Sequence, residues 1–316
     1  MSPSAEETAE AIGALETRAL SVSIVATSVL GGGAVLWGVL SGARVILFDG
    51  VYMLAGIALV GVSLLASRAS TSRPSVEYPF GRHAATPLAV ALQGAALLGT
   101  LVYGAADAVT VLMAGGSDAA AGSVLAYGII SALASLLVVM LLRRAGRVSA
   151  LAQAEVVSWR AGMLLSLVVA LGGGVALAMV ASGQEGAAAL VDPILVLIAC
   201  AGITPMAIGL VRDGVRELLE AAPPEALRIR IAEAVAAGLA DSVDPHRAAT
   251  LGEPVIRSTK LGQRLYVEVD LVVSRGQWQV DEEDAIRLAV TERLDGLGLL
   301  VWATVALTTV PLLTED

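Results

Sequence analysis

Six stretches of the chain are apolar almost without interruption, and all lie in its first two thirds. They run at Ala19–Leu40, Val45–Ala66, Thr86–Ala114, Ala121–Leu142, Leu151–Ala181 and Leu190–Leu210. At 1.5 Å of rise per residue each can cross a hydrocarbon layer roughly 30 Å thick. After residue 212 the pattern changes. Glu225–Leu239 reads as an amphipathic helix, and Pro254–Leu261 and Gln263–Ser274 read as strands. In the second strand Leu265, Val267, Val269 and Leu271 alternate with Tyr266, Glu268 and Asp270, and the tight Leu261-Gly-Gln263 connection predicts a hairpin. Asp281–Leu294 is an acid-started helix with Arg287 and Arg293 towards its end, and Leu300–Thr309 is a last strand. The order α-β-β-α-β predicts a small ferredoxin-like unit with its helices on one face of an antiparallel sheet. The expected fold is therefore a cytosolic tail (1–18), an all-α six-helix transmembrane domain (19–211) and a small cytosolic α/β ferredoxin-like domain (212–316).

Composition agrees with that division. The chain is 56% hydrophobic with a mean hydropathy of +0.79, and its charged residues gather after residue 212. Arginines set an orientation. Arg68, Arg73 and Arg82 lie between spans two and three; Arg143, Arg144 and Arg147 lie between four and five; Arg212 and Arg216 follow span six. The opposite loops hold only Arg44, Asp118 and Glu185, so the positive-inside rule puts both termini in the cytoplasm; the expected location is a cell inner or plasma membrane. The first twenty residues carry four glutamates before the first arginine, unlike the basic start of a secretory signal peptide. One cysteine, Cys200, excludes an intrachain disulfide framework. A net charge of −9 gives nucleic-acid binding no support. Gly31–Gly33 and Gly172–Gly174 allow either close helix approach or a kink, and Pro205 suggests a bend in span six.

Within this pattern Asp49 stands out. It lies in span two with no other charge from Val45 to Ala66, where a carboxylate costs roughly 2.5–3.5 kcal/mol on insertion scales unless it has a partner or a task. Other polar groups in or near the spans are Asp107, Glu155, Ser158 and Asp192. Asp107 is about two turns from the outer end of span three and faces either water or a site. Asp192, just before Pro193, fits a helix N-cap. In the tail, His246 has no second His or Cys in its domain and reads as a solvated loop residue. Asp281-Glu-Glu-Asp284 reads as a helix start that could attract a hard cation weakly.

Several motifs in order resemble the cation diffusion facilitator family of metal-ion/proton antiporters. Span two is similar to the family's Asp-containing second helix. Tyr78-Pro-Phe-Gly-Arg-His-Ala-Ala-Thr-Pro87 is similar to its signature loop, with Thr86 where an acid is usual. Asp192-Pro193 resembles the opening of its sixth helix, and Leu218-Leu-Glu-Ala-Ala-Pro-Pro224 its linker into the tail. The resemblance implies a homodimer joined through the tails and a transport site of two Asp on the second helix with a His and an Asp on the fifth. Those four positions here are Asp49, Met53, Ser158 and Gly162, so one of the four ligands is retained. Residues four apart share a helix face, so each pair can form two rungs. Asp49 is roughly 8 Å past Arg44 and Ser158 roughly 16 Å past Arg147, similar levels in a core about 30 Å thick. Glu155 lies on nearly the same face as Ser158, one turn nearer the cytoplasm, while Arg160 points elsewhere.

Asp49, Met53, Ser158 and Glu155 are therefore the candidate metal residues, with Asp49 foremost and Asp107 and His246 secondary. Zinc prefers four ligands from His, Cys, Asp and Glu, which this set does not offer. Carboxylate, hydroxyl, backbone carbonyl and water suit a harder ion such as Mn²⁺, Mg²⁺ or Fe²⁺; Met53 adds either a soft ligand or packing. Asp49 can carry a proton when the site is empty and release it to a cation, since metal binding requires the deprotonated form. Two readings follow. One is a divalent-cation/proton antiporter exporting metal, with lipid, proton and cation as partners and no cofactor beyond a cargo of the Mn, Fe, Mg, Zn or Co class. The other is a transport-defective relative acting as a regulatory or heterodimer partner. An enzyme reading has no nucleophile–base pair, phosphate loop or polar cleft to stand on.

Overall fold

The computed structural model describes residues 5–41, 44–116, 121–244, 247 and 250–314; within these, some side chains, including those of Asp49 and Asp192, fall outside the description. Six long helices come first: α1 (Ala5–Ser41), α2 (Arg44–Ser70), α3 (Ala85–Met113), α4 (Ala121–Leu142), α5 (Ala150–Ala181) and α6 (Glu185–Leu218). A smaller set follows: α7 (Glu225–Ser242), β1 (Val255–Leu261), β2 (Arg264–Val272), α8 (Val280–Asp295) and β3 (Leu300–Thr308). Among the described residues, 5 helices are long and apolar enough to cross a membrane, in α1, α3, α4, α5 and α6; the apolar part found in α2 is Gly56–Ser70.

The helices overrun the spans read from hydropathy. α1 starts at Ala5, because the acidic segment before Ala19 has good helix formers and no breaker. α6 starts at Glu185 and contains both Pro193 and Pro205. Asp192 is therefore interior to a helix, which corrects the expectation that it caps one. Proline inside a membrane helix is tolerated where neighbouring helices and local adjustments meet the freed carbonyl.

Contacts divide the chain into two compact units, one of Ile12–Arg73 with Ala85–Val215, the other gathering Pro74–Ala84 and the chain from Arg216 onward with the first turns of α1. The first unit buries several polar side chains alongside its apolar core and exposes many large apolar ones. Glu16, Ser23, Thr27, Ser63, Ser67, Gln93, Ser135 and Glu155 are buried, while Val29, Leu36, Leu133, Leu137, Leu171 and Ile198 are exposed. A water-soluble domain does the reverse; a helical unit whose surface meets lipid has this arrangement. The first glycine triplet makes a close helix approach through Gly31, which meets Gly50 and Leu54 of α2. A Cβ at Gly50 would lie 2.6 Å from the Val35 nitrogen and 2.8 Å from the Gly31 carbonyl, so α1 and α2 touch backbone to backbone there, whereas Gly32 and Gly33 meet nothing within 4 Å.

In the second unit Leu265, Val267, Val269 and Leu271 are buried with Ile231, Val235, Ile286, Val290, Leu294 and Val305, so α7 and α8 cover one face of the sheet. The β1–β2 hairpin is antiparallel and turns at Gly262 (φ 61°), as the tight connection predicted. The sheet has order β1-β2-β3, and β2 pairs with β3 in parallel. It is mixed, which corrects the antiparallel expectation: a strand returning through a helix such as α8 is a crossover connection and comes back in the same direction. Asp270 shares the outward face of β2 with Tyr266 and Glu268, yet it is buried, because Arg257 from β1 pairs with it at 2.8 Å.

Candidate functional site

The polar interior of the helical unit is organised by α1 and α5. Ser149 precedes α5 in an extended conformation (φ −126°, ψ 129°) and accepts the Ala152 N–H at 3.1 Å, capping the helix. Its hydroxyl hydrogen goes the other way, to the buried carboxylate of Glu16 on α1. Farther along the same two helices the roles reverse. Glu155 of α5 is 2% exposed, and Ser23 of α1 donates to its Oε2 at 2.5 Å. Glu16 and Ser23 are seven residues apart, about two turns and 10 Å, so Glu16, Leu20, Ser23 and Thr27 form one buried face of α1. An apolar layer including Ala19, Ala152 and Val156 belongs to the same region.

Two more groups complete the surroundings of Glu155. Gln93, nearly buried on α3, donates through Nε2 to Glu155 Oε1. Trp159, one turn beyond Glu155, donates Nε1–H to Ser23 Oγ at 2.8 Å. Glu155 thus receives hydrogen bonds from two other helices, and among the described residues no salt bridge reaches it. Among the described residues, the Oε1 atom of Gln93 and the hydroxyl of Ser63 on α2 are buried without a hydrogen-bond partner.

The residues singled out from sequence distribute as follows. Asp49 lies in α2 one residue before the Gly50 contact with α1, and its side chain is outside the description. Met53 is half-buried against the apolar cluster of Ala19, Val138, Val139, Leu142, Val156 and Trp159, which gives it a packing contact. Ser158 and Gly162 are half-buried, and a Cβ at Gly162 would meet nothing within 4 Å. Asp107 is exposed on α3, and Arg160 is exposed on α5. His246 lies outside the described residues. Among those described, no group of three or more His, Cys, Asp and Glu side chains is gathered to hold a metal ion. The acidic run at the start of α8 is engaged locally: Glu282 closes a capping box with Gln279 and pairs with Arg247, while Glu283 and Asp284 pair with Arg287.

Ser23, Gln93, Trp159 and Glu16 were not singled out by the sequence reading. The available signal was spacing: Glu16, Ser23 and Thr27 recur on one helical face of an otherwise apolar segment, and Gln93 is an amide within an apolar run. In lipid such a face turns inward, because nothing outside can satisfy it.

The signature-like loop forms its own small site within the second unit. Ser75 and Tyr78 exchange backbone hydrogen bonds at 3.1 Å, and Gly81 takes φ 85°. Arg82 lies over the Tyr78 ring at 4.1 Å, and Phe80 meets Trp302 of β3 edge-on, with ring centroids 5.5 Å apart. His83 is buried; its burial and the Arg264 guanidinium hold its imidazole below the usual range.

A comparison with curated proteins finds no match. Residues 20–219, well over half of the chain and including the whole Ser23–Gln93–Glu155–Trp159 constellation, match the cation efflux transmembrane domain. The chain belongs to the cation efflux, or cation diffusion facilitator, family of membrane transporters of metal cations.

Proposed function

We propose that this protein exchanges a hard divalent cation for protons across a cell inner or plasma membrane, exporting metal from the cytoplasm. The observation that carries this reading is Glu155: a carboxylate at 2% exposure, inside the matched transmembrane domain, with hydrogen-bond donors but no ion-pair partner among the described residues. A buried acid of this kind is expensive and marks an ion pathway by default. Asp49, in the neighbouring α2, is the group proposed to exchange proton for cation, with Ser158 and Glu155 contributing oxygen and Met53 packing beside them. An oxygen-rich set favours Mn²⁺, Mg²⁺ or Fe²⁺ over Zn²⁺. Both termini lie on the cytoplasmic side in this reading, six helices cross the bilayer, and residues 212–316 join two copies.

The test is a flux assay. Purified protein in proteoliposomes carrying a trapped pH indicator should move protons when Mn²⁺ or another divalent cation is added outside, and Asp49→Asn should abolish that movement. Unchanged proton movement in Asp49→Asn overturns the proposal. Met53, Ser158 and Gly162, where the family has ligands, favour the partner-subunit reading instead. That reading predicts no flux from the protein alone and co-purification with a relative that keeps all four ligands.

A further inference from the structure

We infer that Ser23, Gln93 and Glu155 form an oxygen-ligand site for a hard divalent cation, which shares Glu155 with the proposed Asp49 site but draws its other ligands from outside the four positions where the family carries them. The inference rests on the transport reading and adds two residues, Ser23 and Gln93, and a second binding level.

The first observation is the mismatch around Glu155. Both of its carboxylate oxygens are occupied by donors, Ser23 Oγ–H on Oε2 and Gln93 Nε2–H on Oε1, but its negative charge has no positive partner among the described residues. A structural knot joining three helices could be built from neutral groups at lower cost, as most interhelical polar contacts are. A full carboxylate is needed where a cation will arrive.

The second observation is the unpartnered atom. Gln93 is almost wholly buried, and its amide nitrogen is used while its Oε1 has no hydrogen bond. The terminal amide torsion is soft and roughly two-fold. Rotating it by half a turn exchanges the two ends and brings an oxygen to the carboxylate. That rotation is unfavourable beside a bare carboxylate and favourable once a cation lies between them. Ser23 has the same dual capacity, because a hydroxyl donates or accepts. Trp159 Nε1–H already occupies one lone pair of Ser23 Oγ, which fixes that oxygen in position and leaves another for a ligand. Ser23 and Gln93 are thus donors to the carboxylate without the ion and acceptors towards the ion with it. Waters would complete the shell of a six-coordinate ion. Without nitrogen or sulfur, such a site selects hard ions over zinc.

The groups facing Glu155 are Ser23 from α1, Gln93 from α3 and, on its own helix, Trp159 beside Ser23. Among the described residues none of these partners is charged, so at this level the ion meets neutral oxygen donors beside the one carboxylate.

Binding of Mn²⁺ to full-length protein in nanodiscs, followed by loss of the free-ion electron paramagnetic resonance signal, tests this independently of flux. Asp49→Asn removes the acid of the other level and should retain Mn²⁺ binding. Adding Gln93→Leu or Ser23→Ala to Asp49→Asn should weaken that binding at least tenfold, whereas adding Gln93→Glu, which keeps an oxygen, should preserve or tighten it. The inference is overturned if Asp49→Asn alone binds no Mn²⁺, if Gln93→Leu leaves its affinity unchanged, or if Gln93→Glu loses as much as Gln93→Leu. Failure of the transport reading shows elsewhere, as absent flux in the wild type or unchanged flux in Asp49→Asn, whatever the Mn²⁺ titration gives.

Discussion

Replacing Ser23 with alanine removes one oxygen and two hydrogen bonds while leaving the packing volume nearly intact. The consequence can be worked out from the contacts. The Ser23 hydroxyl donates to a buried carboxylate, a kind of bond worth about 1.5–3 kcal/mol. Its loss also leaves Trp159 Nε1–H without its acceptor in a buried position, at a cost of about 1–3 kcal/mol. Together these give an expected destabilisation of about 2.5–6 kcal/mol for Ser23→Ala. The comparison that decides is the ordinary interhelical hydrogen bond in a membrane protein, which averages about 0.6 kcal/mol and reaches about 1.7. The two cases are therefore separable.

Unfolding of the purified protein by sodium dodecyl sulfate in mixed micelles supplies the assay, applied to wild type, Ser23→Ala, Glu155→Gln and the double variant. The cycle should return a coupling of at least about 1.5 kcal/mol between positions 23 and 155, since each single change disturbs the same bond. Trp159→Phe should cost less, about 1 kcal/mol, because it leaves the Ser23–Glu155 bond in place. A Ser23→Ala cost below about 0.6 kcal/mol would refute the reasoning: the pair would then be one neutral contact among many. A large cost with no coupling would refute it too, by assigning the loss to Ser23 alone.

Two further outcomes follow from the geometry. Burial and the Arg264 guanidinium lower the His83 imidazole below its usual range in the folded state, so as pH falls the unfolded chain takes up that proton first. Its contribution to stability is complete above about pH 6.5 and declines as pH falls below that, by at most about 1.4 kcal/mol per pH unit; His83→Gln should flatten the melting temperature measured between pH 7.5 and 5, and an unchanged slope would count against it. Gly50→Ala places a methyl 2.6 Å from the Val35 nitrogen and should cost about 1–3 kcal/mol in the same detergent titration. Gly33→Ala, which meets nothing within 4 Å, should be neutral or slightly stabilising; equal effects at the two positions would remove the α1–α2 contact from the account.

How far the sequence could be read depended on whether a feature was local. The alternation of Leu265, Val267, Val269 and Leu271 is legible because one face of the sheet is covered by helices and the other is not. The parallel pairing of β2 with β3 is not carried by either strand's residues, only by the length of what joins them. Helix ends were misjudged where hydropathy and helix formation part company. The segment before Ala19 is too acidic to sit in lipid but forms a good helix, and Asp192-Pro193 looks like a start although α6 runs through it. Glu155 was visible as a lone acid. Its partners were not, because Ser23 is 132 residues away and Gln93 is 62, and only the packing of three helices brings them together.

That packing changes how the departures from the family's ligand pattern should be weighed. Read along α2 and α5 alone, Met53, Ser158 and Gly162 look like losses. Read across α1, α3 and α5, the same region contains a carboxylate, an amide oxygen and a hydroxyl that a four-position comparison does not count. The positions emptied are those that would carry a second Asp, a His and an Asp. The positions filled carry oxygen only. A site that had merely decayed would be expected to lose its buried charge first, since an unused carboxylate in a membrane interior is costly. Glu155 is instead supported by bonded donors on two other helices, and Glu16 with Ser149 repeats the acid–hydroxyl pairing of α1 and α5 about two turns away. Two buried, hydrogen-bonded acids fit a cation path built from oxygen ligands better than they fit a path abandoned.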